Sequence, residues 1–281
     1  MNTSFADIEK KENRKDLIIS ICVFLSGFSC FAQLYYFQPL LPDLAKDFIL
    51  SASESSFAIS FSTLGMVFGL FTTMFVADRI PRKKMIGTGL LSSSIFSVAA
   101  SFSPTFLPLI LLSAAKGFLL SGATSVSMAY IAEEVSSRNK GKIMGLYIAG
   151  NALGGMAGRV ISSWIGALYT WRIASVSIGL ICALFAILFL LFSPRSTNFM
   201  PRKESFHTLI IANLQLITSK ALIPFYLTGG LILGVFVSLY NYLGFYLTKA
   251  PFNFPEHYIH YIYLGIFSKC PYKIQWHMKM P

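Results

Sequence analysis

The stretch that decides the fold is residues 172–193, RIASVSIGLICALFAILFLLFS. It contains no charge after its first residue, and a helix of this length, rising about 1.5 Å per residue, crosses a hydrocarbon core of roughly 30 Å. The period-two alternation of a membrane barrel strand is missing from it. Because lipid offers no hydrogen bonds to the backbone, a helix is the conformation that satisfies these polar groups. The stretch therefore predicts a transmembrane helix.

Six more stretches of similar length and composition predict seven transmembrane helices in all. The chain is 54% hydrophobic and only 12% charged, which a soluble domain could not accommodate in its interior. The predicted fold class is therefore all-α, a polytopic membrane helix bundle. In chain order, the predicted spans are approximately residues 17–37, 54–77, 85–103, 106–132, 143–168, 172–193 and 221–247.

The distribution of Lys and Arg predicts the orientation of these helices. With the N-terminus inside, the cytoplasmic segments hold fifteen cations and the external loops hold three. Lys and Arg are retained on the cytoplasmic side during insertion, so we expect a cytoplasmic N-terminus. Contact of basic loops with the lipid bilayer accounts for the net charge of +11, and no nucleic-acid partner is expected.

The connections between the predicted helices divide the chain into three parts. Residues 194–220 are long, polar, basic and proline-containing, which is typical of a cytosolic linker. Residues 1–193 before it are predicted to form a six-helix membrane bundle. Residues 221–281 are predicted to form an incomplete second bundle, because after one full helix the apolar run 258–267 is too short to cross a bilayer.

The fifth predicted helix carries small residues at every fourth position. Residues four apart share one helix face, and glycine there allows a second helix to approach closely in lipid. Two interpretations remain open: a surface for tight packing alone, or one on which a partner helix also slides during transport. The row consists of Gly150, Gly154, Gly158, Ser162 and Gly166.

Lys116 is the most unusual residue of the predicted spans, because it lies about ten residues into the fourth helix, near the bilayer midplane. A cation at that depth is costly unless it faces a partner or a water-filled cavity. We therefore expect its ammonium to face the bundle interior, with Gln33, Tyr36 and Gln38 as companions. Tyr35 and Tyr36 could instead belong to an aromatic belt at the membrane interface.

A second four-residue row, Asn151, Gly155 and Arg159, lies beside the glycine row. Arg159 either reaches outward to the membrane interface or acts inside the bundle. The expected substrate and proton pathway therefore comprises Lys116, Arg159, Asn151, Gln33 and Tyr36.

The sequence lacks the patterns that catalysis or metal binding would need. No nucleophile with a nearby base, glycine-rich phosphate loop or carboxylate pair occurs, so no enzymatic activity is expected. The four cysteines form no CxxC pair. His257 and His260 are three residues apart, but no acidic or thiol partner is spaced to complete a metal site. We expect no cofactor.

The loop after the second predicted helix, residues 77–85, reads ADRIPRKKM. It resembles the signature of the major facilitator superfamily, Gly-x-x-x-Asp-Arg-x-Gly-Arg-Lys between helices two and three. Met74 and Pro81 replace the two glycines. The matching positions are Asp78, Arg79, Arg82 and Lys83.

Other segments resemble the same superfamily in the same order. Residues 145–159 are similar to the antiporter motif of its drug and sugar exporters, with Asn151 where a proline is usual. Further similar segments are 38–42 (QPLLP), 130–134 (YIAEE), 171–172 (WR) and 240–244 (YNYLG). The gating motif that we expect from the resemblance comprises Asp78, Arg79, Arg82, Lys83, Glu133 and Lys140.

The resemblance covers residues 17 to about 256 and implies a secondary active transporter that exports a small molecule, drug or sugar-like, with protons as the coupling ion. It also implies a location in a bacterial inner membrane and twelve helices in two bundles with alternating access to a central cavity. This chain would then hold the six-helix N-terminal half and the start of the second half. Where this chain has Ser113, the family usually has an Arg; either Lys116 substitutes for it or the proton-linked cation is lost.

A frameshift or premature end that removes five helices is expected from the short last apolar run, which leaves open whether the transporter is active or defective in this copy. The alternative function is a non-transporting membrane fragment that acts only as a packing or partner-binding bundle. Longer coding sequence in another reading frame would separate the two.

Overall fold

Helices make up nearly all of the chain that the structure describes. The computed structural model describes residues 5–201 and 206–248. Its α-helices are α1 (Phe5–Tyr35), α2 (Leu41–Asp47), α3 (Ala52–Ser55), α4 (Phe57–Val76), α5 (Arg82–Ser101), α6 (Phe106–Glu134), α7 (Lys140–Leu168), α8 (Trp171–Phe192), α9 (Phe206–Ile217) and α10 (Ile223–Thr248). Two 3-10 turns cover Gln38–Leu40 and Ala77–Arg79. The all-α fold class is confirmed.

The predicted spans coincide with α1, α4, α5, α6, α7, α8 and α10. By length and composition, 5 stretches of the described residues could cross a membrane: Glu12–Asp47, Ala52–Arg79, Phe106–Glu134, Trp171–Phe192 and Ile223–Leu243. Helices α5 and α7 are not among them because both begin with cations and are rich in Ser or Gly. Their polar residues face the bundle, since Ser93, Ser97 and Ser101 of α5 and Ser162 and Ser163 of α7 are buried.

The first six long helices pack together as one bundle. Helix α4 lies along α6, α1 lies along α7, and α5 lies against both α6 and α8. Helix α8 also contacts α1 and α7. One group of buried side chains includes Ile19, Leu90, Leu120, Tyr130 and Phe189. A second group includes Tyr36, Leu44, Ile59, Leu109 and Trp171.

Helix α10 lies beside this bundle, against the turn Gln38–Leu40 and against α2. Tyr240 is buried at this contact, while most of the described side chains of α10 are exposed. The predicted linker 194–220 is not irregular throughout, because its apolar residues from 209 onward fall within the helix α9.

Glycines of α7 set the distance between α7 and α1. A Cβ at Gly150 would lie 2.6 Å from a backbone oxygen of α1, and one at Gly158 would lie 2.7 Å from a backbone atom. A Cβ at Gly154 would overlap the α1 backbone outright. Larger side chains would therefore push the helices apart. The facing pairs are Gly150 with Phe24, Gly154 with Phe28 and Gly158 with Ala32.

The bundle has two ends with different charge. The basic end contains the start of α1, the α4–α5 and α6–α7 connections and the end of α8, with cations such as Lys15, Arg82 and Lys142. The opposite end contains α2, α3 and the α5–α6 and α7–α8 connections. There, between α2 and α3, Ile49 has φ of 55° and is 93% exposed. A β-branched residue in this left-handed region is strained.

Candidate functional site

Lys116 lies inside the bundle in an aromatic environment. The residue is 1% exposed, and its Nζ lies 4.5 Å from the ring centroid of Tyr36 and 4.9 Å from that of Phe37. Within the described part of the chain, Nζ has no hydrogen-bond partner. Ring faces attract a desolvated cation by about 2 kcal/mol. This attraction offsets only part of the cost of burying an ammonium group.

Polar side chains of α1, α5 and α8 form a hydrogen-bonded chain that ends at Tyr36. Ser97 Oγ donates to Gln33 Oε1 (3.2 Å), and Ser175 Oγ donates to the carbonyl oxygen of Ser97 (3.0 Å). The hydroxyls of Tyr36 and Ser175 are 2.9 Å apart. All four side chains are fully buried, so Tyr36 is not part of an aromatic belt. Of the expected companions, Tyr36 contacts Lys116 directly, while Gln33 is linked to Tyr36 through the serines.

Arg159 is hydrogen-bonded towards α10. Its Nε donates to Gln38 Oε1 (2.5 Å), and one terminal nitrogen donates to the carbonyl oxygen of Gly155 (2.8 Å). Gln38 Nε2 in turn donates to Asn241 Oδ1 of α10 (2.9 Å). Gln38 therefore accompanies Arg159 and not Lys116, and it connects the first bundle to α10.

Three aromatic rings surround the same guanidinium. Its central carbon lies 4.6 Å from the ring centroid of Tyr35, 4.5 Å from that of Tyr240 and 5.5 Å from that of Phe236. Arg159 is 4% exposed, so it does not reach out to the membrane interface. The outward alternative is wrong because α10 covers the side chain. We call this group of Arg159, Gln38, Asn241 and the three rings the arginine cage.

Asn151 lies two turns away on α7, against α1. A Cβ on Gly27 would overlap its Oδ1. Asn151 therefore belongs to the α1–α7 crossing, next to the glycine row, and the structure does not bring it together with the arginine cage or Lys116.

At the basic end, Arg82 joins α4, α5 and α6. One terminal nitrogen donates to Asp78 Oδ1 (2.9 Å) and Glu133 Oε1 (3.1 Å), and the other donates to the carbonyl oxygen of Ala77 (2.6 Å). The guanidinium also lies 5.0 Å from the ring centroid of Phe199. Two carboxylates on one largely buried guanidinium give strong, charge-assisted hydrogen bonds.

Glu134 is the centre of a second ionic group at the basic end. Lys15 Nζ and Thr197 Oγ1 each donate to its Oε2 at 2.8 Å, and the backbone N–H of Asn198 donates to Oε1 at 2.7 Å. Burial would raise the pKa of Glu134, but these hydrogen bonds outweigh it and hold the pKa below its ordinary value. The group ties the start of α1 and the segment after α8 to the end of α6.

The segment that leaves α8 is held by two further residues. The Tyr130 hydroxyl lies 2.8 Å from Ser193 Oγ and donates to the carbonyl oxygen of Pro194 (2.9 Å). The Lys83 ammonium donates a hydrogen bond to the carbonyl oxygen of Ser193, and the Lys83 backbone N–H donates one to Ser196 Oγ. Lys83 therefore lies near the Arg82 group but binds the segment after α8.

Two expected gating residues lie apart from these groups. Arg79 is exposed, and Lys140 is partly exposed at the first position of α7. Neither side chain hydrogen-bonds to Arg82 or Glu133 within the described residues.

Sequence reasoning missed an ionic group at the opposite end. Trp171 Nε1 and Arg172 each donate to Asp47 Oδ2, at 2.9 and 3.0 Å. Arg172 also donates to the carbonyl oxygens of Ser101 and Ser103. The pair WR at 171–172 resembles a segment of the major facilitator superfamily, but its partner Asp47 is 124 residues away from Trp171, and no local pattern connects them.

The described residues contain no group of three or more His, Cys, Asp or Glu that could hold a metal ion. His257, His260 and the apolar run 258–267 lie outside the described residues, so the expectations about them stay predictions.

The fold and these groups define a helical membrane protein with cations enclosed inside its bundle and against a further helix. Residues 20–268 match the family model of the Major Facilitator Superfamily, and the chain belongs to this family. The resemblance inferred from the motifs is thereby confirmed.

Two relatives and one solved structure illustrate the similarity. An uncharacterized transporter of Buchnera aphidicola subsp. Schizaphis graminum is 35% identical over 245 residues, which cover 87% of this chain and 59% of that protein. The inner membrane transport protein YnfM of Escherichia coli K12 is 35% identical over 236 residues, covering 84% and 56%. A bacterial homologue of the human lysosomal transporter Spinster, crystallised inward-facing and unoccupied, has the same fold, with a TM-score of 0.70 at 13% identity over 88% of this chain and 58% of that one. The chain spans about three fifths of the length of these proteins.

Proposed function

We propose that this chain is a secondary active transporter that couples the efflux of a small molecule, drug or sugar-like, to protons. The observation that carries the proposal is Lys116, an ammonium enclosed at membrane depth with no hydrogen-bond acceptor among the described residues. A group this costly to bury in a membrane protein is by default a functional one. Membership of a transporter family supports the same conclusion.

Lys116 is suited to exchange a proton. Its Nζ lies against the rings of Tyr36 and Phe37, and no carboxylate of the described residues pairs with it. The carboxylates of the described residues all lie near the ends of the bundle. Lys116 is therefore the proton-binding group of the middle layer. The polar groups that connect Tyr36 to Gln33 through Ser175 and the carbonyl and hydroxyl of Ser97 lie next to it.

Each end of the bundle has a group of side chains that can act as a gate. The arginine cage closes the opposite end, because it ties α7 and the turn after α1 to α10. The Arg82 group, with Asp78 and Glu133, holds the basic end by charge-assisted hydrogen bonds. Alternating access then requires one group to open while the other stays closed.

The basic end faces the cytoplasm of a bacterial inner membrane, with the N-terminus inside. Residues 1–193 form the first bundle, residues 194–220 form the cytosolic linker, and α10 begins the second bundle.

Proton flux into liposomes tests this function. The chain is reconstituted with a pH-sensitive dye inside, a proton gradient is imposed, and benzoate, a pentose sugar or ethidium is added as an organic anion, a sugar-like solute or a drug-like cation. We expect one solute class to raise proton flux above the solute-free rate. Lys116→Met should abolish this increase, because it removes the charge and keeps the apolar stem.

Lys142→Met is the matched control, since it removes an exposed cation at the basic end and should keep the coupled flux. Coupled flux that survives Lys116→Met would refute the role of Lys116. A chain that moves no solute and no coupled proton would instead be the non-transporting membrane bundle.

A further inference from the structure

A groove lies on the outer surface of the bundle, between α4 and α5. Both helices pack on α6, whose surface forms the floor. The groove has a volume of about 210 Å³, and Thr72, Thr88 and Phe118 on its rim are exposed. One glycine from each of the three helices, Gly69, Gly89 and Gly122, is part of its lining.

The groove is apolar although many of its side chains carry hydroxyls. Of the five lining residues that carry a hydroxyl, all except Ser92 donate it to a carbonyl oxygen of their own helix, at 2.6 to 3.0 Å. The walls therefore present mainly methyl groups and methylenes, and a hydrocarbon occupant leaves few hydrogen bonds unmade. The hydroxyl residues with such bonds are Thr72, Thr73, Thr88 and Ser121.

Two cations lie at the basic end of this groove. Lys84 is one turn before Thr88 on the same face of α5, and Arg79 follows Val76 at the end of the opposite wall. Both are exposed, and neither side chain has a hydrogen bond or ion pair within the described residues. Their neighbours Arg82 and Lys83 differ, because both bind inward.

We propose that the groove binds one acyl chain of an anionic phospholipid, whose phosphate lies between Arg79 and Lys84. The mainly apolar lining of the groove suits a hydrocarbon chain, and the position of the cations suits a phosphate at the membrane surface. The site is separate from Lys116 and the arginine cage, so it does not depend on the proposed transport function. A lipid phosphate at this position would also give Arg79 a binding role, since its side chain takes no part in the Arg82 group.

Lipid titration of the purified chain tests this proposal. The chain in detergent is titrated with dioleoyl phosphatidylglycerol or with dioleoyl phosphatidylcholine, and bound lipid is counted by native mass spectrometry. We expect phosphatidylglycerol to bind roughly tenfold more tightly, since each cation near a membrane surface attracts anionic lipid. Glycerophosphoglycerol, the same headgroup without acyl chains, should not bind.

Variants separate the headgroup from the tail. Arg79→Gln with Lys84→Gln should reduce phosphatidylglycerol affinity to that of phosphatidylcholine. The control pair Lys142→Gln with Arg195→Gln removes two exposed cations elsewhere at the basic end and should keep the preference. Gly122→Leu should fill the groove and weaken both lipids. Gly122→Ala should not, because its Cβ would make an ordinary 3.6 Å contact with Met85.

Three results would overturn the proposal. They are equal affinity for the two lipids in the unmodified chain, an equal loss in the control pair, and unchanged phosphatidylglycerol binding in Gly122→Leu. If the double Gln variant does not fold, the exchange Arg79→Lys with Lys84→Arg replaces it. That exchange keeps both charges and should keep the preference, and its loss would equally contradict the proposal.

Discussion

Lys116 and Arg159 are both buried cations, but their partners differ. Arg159 has an amide and a carbonyl oxygen as acceptors in addition to three rings. Lys116 has two rings and, among the described residues, no acceptor. Removing a compensated charge leaves its partners unsatisfied, whereas removing an uncompensated one relieves a cost.

Substituting the two cations by methionine should therefore change stability in opposite directions. We expect Lys116→Met to raise the free energy of unfolding by about 1–3 kcal/mol and Arg159→Met to lower it by a similar amount. Thermal melting in detergent measures both. A lower melting temperature for Lys116→Met would mean that the rings, or an acceptor beyond the described residues, compensate the ammonium fully.

Ile49 has a positive φ, and we expect that replacing it can stabilise the fold. Asn tolerates a positive φ better than a β-branched residue, so Ile49→Asn should stabilise the fold by about 1 kcal/mol. Ile49→Val keeps the branched side chain and should bring no gain. Equal melting temperatures for Asn and Val would show that the backbone at this position is not strained.

The sequence could predict the position of Lys116 but not the surroundings of Arg159. The depth of Lys116 follows from its place in one helix, and the cost of an ion in lipid then favours the interior. The arginine cage joins α1, α7 and α10, and its geometry depends on how far α10 is shifted along the bundle. A row such as Asn151, Gly155 and Arg159 gives a helix face but not the helix that covers it.

At the scale of the helices, two helix pairs cross in the same way, with glycines of one helix packed against the backbone of the other. Gly150, Gly154 and Gly158 fit against α1, while α4 and α6 each present glycines to the other's backbone. In α4 and α6 these contacts are Gly65 with Ala114 and Gly117 with Ser62. Close backbone approach replaces the hydrophobic drive that is missing between helices in lipid.

Leucine at Gly154 should separate α1 from α7. We expect Gly154→Leu to lower the melting temperature by several degrees, because its Cβ would overlap the Phe28 backbone, which cannot move away as a flexible side chain could. Gly145→Leu is the control on the same helix, since nothing lies within 4 Å of its Cβ position. If both variants melted alike, the glycine row would not set the crossing.

Hydropathy predicted the long helices well but missed the short ones. Helices α2, α3 and α9 are too short to give a membrane-spanning run, so they escape a search for apolar stretches. Helix α3 did have a local signal, because Ser51 and Glu54 form a capping box in which each side chain bonds the other's backbone N–H.

At the scale of the whole molecule, the basic end is held by ionic and polar contacts between distant segments. Asp16 accepts hydrogen bonds from Ser136 and Asn139, and Lys15 and the segment after α8 meet at Glu134. The start of α1, the α6–α7 connection and the exit from α8 therefore form one connected surface.

The Glu134 group should make stability depend on pH. Because its folded pKa is lowered, the carboxylate stabilises the fold above its unfolded pKa of about 4.3, and this contribution is lost as pH falls through the lowered value. Glu134→Gln should melt below the unmodified chain at pH 7, and the difference should shrink on acidification. Glu12→Gln, on the exposed start of α1, should show no such difference at neutral pH. A gap for Glu134→Gln that stays constant with pH would contradict this assignment.

The pairing of α1 with α7 also constrains the order in which the chain can assemble during synthesis. Helix α1 leaves the ribosome first, but the glycines that fit against Phe24 and Phe28 belong to the fifth long helix. Until α7 is inserted, this face of α1 has lipid or the insertion machinery as its neighbour. Helix α4 can pair sooner after its synthesis, because its partner α6 follows it after one intervening helix. The α4–α6 pair can therefore close before the α1–α7 pair, and the nascent bundle stays open along α1 until the fifth long helix arrives.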